Sequence, residues 1–459
     1  MALDLIVVLI YAAGMLALGW YGMRRAKTQE DYLVAGRNLG PTLYMGTMAT
    51  TVLGGASTVG TVRLGYVHGI SGFWLCAALG LGIIALNLFL AKPLLRLRIF
   101  TVTQVLERRY TPMARQASAL IMLAYALMIG VTSTLAMGTV LQVLLDLPFW
   151  LSVLLGGGVV VIYSTIGGMW SLTLTDIVQF VIKTVGLMFI LLPVCLYKVG
   201  GWDQLVAQLP ASSFNWTTIG WDTILTYFLI YFFGILIGQD IWQRVFTARD
   251  EKVCQRAGTT AGVYCVLYGL ACALIGMAAH VLLPDLANPN NAFAAMIKTT
   301  LPDGIRGLLM AAALAAMMST ASAGLLAAST TVTEDLLPKL RGGKQSTLAT
   351  SRVFTLLTGL VVLAIALAVN DVISALTLAY NLLVGGMLIP LMGAIFWKRA
   401  TTAGAIASMS LGFATALLFM VKDGLDANTP IYYSLAVGLV SFVLVSLLSR
   451  RPVASANLA

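Results

Sequence analysis

Between Ala311 and Thr331 the chain reads AAALAAMMSTASAGLLAASTT, and sixteen of these 21 residues are Ala, Gly, Ser or Thr. The stretch is long enough to cross a bilayer as a helix, yet its side chains are too small to favour a lipid-facing position. Small residues of this kind let helix backbones approach one another inside a bundle. Ser319, Thr320 and Ser322 crowd the middle, and Ala316 lies about one turn before Ser319. Hydroxyl oxygens at mid-membrane depth are costly unless they bind something. A small hard cation, which prefers oxygen ligands, is the natural candidate. The alternative is a packing face whose hydroxyls bond back to their own helix.

Three other places break the apolar pattern. In TTVLGGASTVG (Thr50–Gly60), Gly54 and Gly55 sit at mid-span, flanked by Thr50, Thr51, Ser57 and Thr58. Paired glycines beside hydroxyls allow a helix to break, freeing carbonyls and amides to line a cavity. In YFFGILIGQD (Tyr231–Asp240), Gly234 and Gly238 precede Gln239 at helical spacing. Either pair alone also reads as close helix packing. In TDIVQFVIKTVG, Asp176 has Gln179 on its face, and Lys183 lies about ten ångströms deeper at a rise of roughly 1.5 Å per residue. Asp176 also reads as a helix-start residue near the positive end of the dipole. Lys183 needs Asp176, a carbonyl cluster or an anionic ligand, unless it bends toward an interface.

The elements that must hold these residues are membrane helices. Hydrophobic residues make up 59% of the chain and charged ones 10%, against about 25% charged in soluble domains. Thirteen apolar segments are expected, at roughly 3–22, 40–60, 68–91, 116–144, 148–166, 173–197, 221–240, 256–282, 304–332, 348–369, 373–396, 402–421 and 429–448. Each is near the ~20 residues a helix needs to span the hydrocarbon, and too long for the strands of an outer-membrane barrel. The segments holding the two glycine pairs stand five apart, as expected if segments two to six and seven to eleven are inverted repeats. The five cysteines lack metal-type spacing and read as small apolar residues outside any disulfide framework.

Charge fixes the expected orientation. The positive charges Arg24, Arg25 and Lys27 follow the first apolar run and Asp4 precedes it, so the run reads as an uncleaved helix with the N-terminus outside. Alternation then places 22 of the 28 Lys and Arg residues in internal regions, including Arg450 and Arg451, and the C-terminus inside. The net charge of +10 is thus a topology signal, and no nucleic-acid partner is expected.

Together these residues resemble the sodium:solute symporter family. The likeness spans nearly the whole chain, through EDYLVAGRNLG (Glu30–Gly40), TVTQVLERRY (Thr101–Tyr110), YSTIGGMWSLTLTDIVQ (Tyr163–Gln179), GQDIWQRVFTARD (Gly238–Asp250) and GAIFWKRATTAGA (Gly393–Ala405). It implies an all-α polytopic membrane protein with a leucine-transporter-like core of five plus five helices. One extra helix precedes that core and two follow it. The chain then divides into an N-terminal helix and loop (1–36), a first repeat (37–200), a second repeat (201–400) and C-terminal helices (401–459) within one transporter domain (1–459).

By position, the resemblance also implies a sodium site made by the carbonyls of Thr50, Leu53 and Ala316 and the hydroxyls of Ser319 and Thr320. A second site in some relatives would use Asp176 and Ser322, but Ala323 stands where a serine is expected. Sugar-transporting relatives carry polar side chains where this chain has Val52, Gly54, Ala56, Ser57, Cys76 and Gly238. A solute with fewer hydroxyls is therefore expected, because each unmatched buried hydrogen bond costs affinity. Gly54, Ser57, Gln239, Tyr380, Asn381 and Lys183 are the expected solute contacts. Lys183 as a counter-charge favours organic acids.

The reading is sodium-coupled symport of a small organic solute into the cytoplasm by alternating access, in a plasma membrane of bacterial inner-membrane type. The lipid bilayer is its setting, and no obligate protein partner is implied. The alternative is proton-coupled or uncoupled transport, with Lys183 in place of the cation. A solute sensor is more remote, because the residues after Phe396 read as helices and short loops. An enzyme is not expected: His68 and His280 are the only histidines, and no acid, base or nucleophile clusters with them.

Overall fold

Apolar runs of this length leave helix as the form that satisfies every backbone hydrogen bond in lipid. The computed structural model describes residues 2–369 and 371–449. Helices account for nearly all of them, with an isolated bridge between Leu39 and Ala248. Arg450 and Arg451, part of the expected internal charge, lie outside the described residues. All five cysteines are buried free thiols.

Among the described residues, ten helices are long and apolar enough to cross a membrane. The number is eleven if Trp221–Ile237 and Gln239–Val245, bent by 46° at their junction, form one span. This is fewer than the thirteen expected, and the two counts part where helices break or run on through a kink. Phe149–Val199 runs for 51 residues through a kink at Gly168, whose φ of 53° with ψ of −138° is a combination open in practice to glycine. Pro41–Val52 has only twelve residues, too few to span alone, and the chain resumes at Ala56 in a run of 42 residues that reaches Leu97.

The small-residue helix, Ile305–Thr330, is the centre of the bundle. In the run Ile305–Leu340, 94% of the most apolar window is buried, against 28% for Leu3–Arg25 and for Thr429–Leu448. It packs on Pro112–Leu145, Phe149–Lys183 and Pro41–Val52. Gly324 permits a close approach to Pro112–Leu145, since a Cβ there would lie 2.5 Å from the Gly130 nitrogen. Large apolar side chains such as Leu9, Ile10, Leu444 and Leu447 are exposed on the outer helices, where lipid is the solvent.

Candidate cation and solute site

The Pro41–Val52 helix ends at Leu53 (φ −89°, ψ 64°), and a π-helical turn restarts it at Ala56–Gly60. A helix end leaves its last four carbonyls without intrahelical partners. Here each is met by a side chain. Ser319 Oγ donates to Thr50 O (2.9 Å), Thr320 Oγ1 to Thr51 O (2.6 Å) and Ser57 Oγ to Val52 O (2.6 Å). Cys265 Sγ approaches Ala49 O more loosely, at 3.8 Å. On the restart side, the Gly55 amide donates to Ser133 Oγ (3.3 Å).

Ser319 Oγ also lies 3.1 Å from Ala316 O, and Thr320 Oγ1 lies 3.5 Å from Thr50 O. Four of the five expected sodium ligands, Thr50, Ala316, Ser319 and Thr320, thus share one spot between two helices. All are neutral hard oxygens, the donor set that suits sodium. A hydroxyl keeps lone pairs while donating its proton, and rotating it away turns hydroxyl and carbonyl oxygens toward a common cation. Leu53, the fifth, is buried at the break itself. No hydrogen bond among the described residues ties its carbonyl to the Ser319 helix.

The expected second set is placed differently. Ser322 Oγ donates to Ser319 O at 2.9 Å, bonding back to its own helix. Asp176 accepts from Thr47 Oγ1 and lies 3.8 Å from Arg244 Nη2, with both side chains buried. A buried carboxylate requires such a counter-charge, so Asp176 joins the second broken helix through Arg244.

A cavity of about 20 Å³ lies against the first break, walled by Thr51, Gly54, Ser57, Thr320, Asp240 and Tyr380. That is room for about one water, so an organic solute enters only if walls move. Gly54 must lack a side chain here, because a Cβ would lie 2.7 Å from Ser133 Oγ and against Thr320. Of the expected solute contacts, Gly54, Ser57 and Tyr380 are on the wall.

Gln239, Asn381 and Lys183 are not. Gln239 Nε2 donates to Phe100 O (2.8 Å) and its Oε1 accepts from the Val102 amide (2.9 Å), so both ends of the amide are used on a loop. Asn381 is buried with neither side-chain polar atom bonded. The Lys183 ammonium is buried 5.6 Å from the Tyr268 ring centroid and makes no hydrogen bond. That ring, rather than the Ser319 hydroxyl, is its neighbour.

Sequence reasoning missed Thr51 and Asp240. Thr51 was findable from the rule of four free carbonyls once the break is placed. Asp240 follows the chosen Gln239 directly, but the helix resumes only after Gly238 (ψ 132°), so the face set by Gly234 does not continue to it.

A larger space of about 340 Å³ is lined by Val59, Leu135 and Val372, with Asn288, Asn290 and Asn291 at its rim. These three apolar residues stand about one turn along their helices from Ala56, Thr132 and Leu376 of the small cavity. At the other, Lys- and Arg-rich end, the Gln239 clamp is reinforced. Leu39 and Thr247–Arg249 exchange backbone hydrogen bonds of 2.9 and 3.1 Å. Thr101 Oγ1 and Arg115 Nε both donate to Asp335 Oδ1, at 2.9 and 2.8 Å.

The sodium:solute symporter family profile matches residues 32–412. The chain belongs to the sodium:solute symporter family. This symporter is 26% identical to the osmoregulated proline transporter OpuE of Bacillus subtilis, over 98% of its own length and 96% of the relative. It is 27% identical to the high-affinity proline transporter PutP of the same organism, over 95% and 96%. Among solved structures, a Na⁺-coupled sialic acid symporter in a substrate-bound outward-open state superposes with a TM-score of 0.84 at 20% identity, covering 98% of each chain. The nucleobase-cation-symport transporter Mhp1 in a closed conformation gives 0.59 at 16% identity, over 91% and 94%. The symporter is a multi-pass membrane protein that couples transport of a small organic solute to sodium.

Proposed function

We propose that the sodium ion is held by the carbonyls of Thr50, Leu53 and Ala316 and the hydroxyls of Ser319 and Thr320, beside a solute site at the Gly54–Ser57 break. The observation that carries this is the pair of hydroxyls on one helix aimed at two carbonyls freed by the break in another. Sodium can then join two elements whose separation changes during transport. Its binding shifts the conformational equilibrium by the difference in its affinity for the two arrangements. Asp176 and Ser322 form a second cation position only if Asp176 leaves Arg244.

The same reading assigns thirteen crossings, counting the broken Pro41–Gly60 segment as one and dividing Phe149–Val199 at Gly168. It assigns repeats at 37–200 and 201–400, each opening on a broken helix. The Arg-rich end is cytoplasmic and the N-terminus outside, by the positive-inside rule. The Gln239 clamp then closes the cytoplasmic side while the 340 Å³ vestibule faces outward. Solute and sodium enter from that vestibule, and release of the clamp lets both leave inward.

Lys183 lies off the cavity wall, which removes the counter-charge on which the organic-acid expectation rested. The relatives named as proline transporters favour instead a solute with a nitrogen as well as a carboxylate. The test is uptake of labelled candidate solutes into proteoliposomes with an inward sodium gradient. Accumulation that collapses with the gradient, and that fails in a Ser319→Ala plus Thr320→Ala variant, is the expected result. Unchanged, sodium-independent uptake in that variant would overturn the assignment.

A further inference from the structure

The cavity wall carries a single ionisable carboxylate, that of Asp240, and its setting is specific. Asp240 is 2% exposed, and its Oδ1 accepts from Tyr125 Oη at 2.9 Å. Gly238 leaves room for that pair, since a Cβ there would lie 2.8 Å from Tyr125 Oη and 2.9 Å from Asp240 Oδ1. The neighbouring cation, Arg244, directs its guanidinium elsewhere: Nη2 pairs with the Asp176 carboxylate at 3.8 Å, and Nη1 meets only the backbone oxygen of Asp240, at 3.5 Å. The charge of Arg244 acts on both carboxylates, but the hydrogen-bond donor to the Asp240 side chain is a neutral phenol.

Among the described residues of this wall one is aromatic, Tyr380; apart from Asp240, the rest are glycine, aliphatic or hydroxyl side chains. Tyr380 lines the cavity, and its ring is held edge-on between Tyr125 and Tyr231, with both centroid separations 5.3 Å. Gly234 makes space for the Tyr380 ring, which occupies the position a Cβ would take. A carboxylate next to a fixed aromatic ring is the recognition chemistry of organic ammonium ions: the charge pairs with the carboxylate, and the carbon skeleton and partial charges of the N–CH groups lie on the ring. A bare sodium ion gains from the carboxylate but leaves the Tyr380 ring unused.

We infer that Asp240 and Tyr380 form the solute's recognition pocket, and that the transported solute carries a cationic nitrogen. This rests on the transport reading above and names the class of its solute. A zwitterion such as an amino or imino acid satisfies the inference, as does a quaternary ammonium ion. An organic anion without nitrogen does not, because its charge would lie against Asp240.

The experiment uses the full chain in detergent or nanodiscs and measures thermal stabilisation with and without sodium. One arm contains L-proline, glycine betaine, choline and small primary amines. The other contains charge-deleted partners: tetrahydrofuran-2-carboxylate for proline, 3,3-dimethylbutanol for choline and simple carboxylates. The expected result is stabilisation by at least one ammonium compound and by none of the partners. In Asp240→Asn the affinity for that compound falls on the order of tenfold or more, while stabilisation by sodium alone persists. That persistence also shows that the variant folds. Tyr380→Leu weakens the same compound without altering the response to sodium.

Binding confined to the anions, the absence of any ammonium hit, or an ammonium affinity unchanged in Asp240→Asn overturns the inference. Loss of sodium stabilisation in Asp240→Asn, with ammonium affinity retained at saturating sodium, makes Asp240 a sodium ligand and overturns it as well. Loss of sodium dependence in the wild-type chain would instead count against the transport reading, so the two failures are distinguishable.

Discussion

Ser319 Oγ sits 2.9 Å from the carbonyl oxygen of Thr50, across the interface between the most buried helix and the broken one. Each partner is where it is for a separate reason. The Thr50 carbonyl is free because its helix stops at Val52, and the Ser319 hydroxyl reaches it because neighbouring alanines keep the helix thin. Neither feature alone makes a cation site; their meeting does.

Removing one hydroxyl should therefore weaken sodium more than solute. Ser319→Ala and Thr320→Ala are each expected to raise the sodium concentration for half-maximal uptake on the order of tenfold, equivalent to about 1.4 kcal/mol. Maximal uptake at saturating sodium should fall much less. Initial uptake rates across a sodium titration check this, and an equal loss at every sodium concentration would contradict it.

Gly54 is required by space rather than by backbone freedom. Gly54→Ala should drive a methyl into Ser133 and Thr320, costing about 1–3 kcal/mol as overpacking does. Thermal unfolding of the purified variant measures the loss. The paired variant Gly54→Ala with Ser133→Gly is expected to recover part of it, since Ser133 Oγ is one of the atoms the methyl meets.

Gln239 spends both amide atoms on Phe100 and Val102, so its removal should unlatch the Arg-rich end, proposed above as the cytoplasmic one. Gln239→Ala forfeits two hydrogen bonds and leaves backbone groups to find water, about 1–3 kcal/mol in favour of opening. A reporter cysteine at Thr101 in the cysteine-free background should react faster with a membrane-impermeant thiol reagent added on the side proposed as cytoplasmic. An unchanged rate would show that other contacts hold the seal.

Lys183 has a buried ammonium with no hydrogen bond and no carboxylate within ion-pairing distance among the described residues. A buried ammonium without a hydrogen bond pays a desolvation cost that an apolar group of similar length avoids, and Asp176, which feels its charge, keeps Arg244 beside it. Lys183→Met should thus keep sodium-dependent uptake and unfold at the same or a higher temperature. Sodium dependence that appears only in the variant would instead mean that the lysine had served as the coupling cation.

Each glycine pair was open in the sequence to two readings, a helix break or close helix packing, and the five-segment spacing between the pairs pointed to the break. The Ala316–Thr320 wall was legible too, since a run of small residues has to be buried and its hydroxyls then need partners. Which carbonyl each hydroxyl meets was not, because that depends on where Pro41–Val52 stops and how the two helices cross. Gln239 and Asp240 show the same limit. Adjacent residues on a helix point about 100° apart, and the non-helical turn at Gly238 reset the phase between Gly234 and both. Asp176 was read as a helix-start residue, a partner for Lys183 or part of a second cation site; Arg244 lies 68 positions away and became its neighbour only through the packing of distant helices.

The most direct test of the central claim is sodium binding without solute. Equilibrium binding of ²²Na⁺ to the purified chain should saturate for the wild type and be lost in Ser319→Ala plus Thr320→Ala, while Lys183→Met binds as the wild type does. Saturable sodium binding of unchanged affinity in the double variant would place the ion elsewhere and contradict the account.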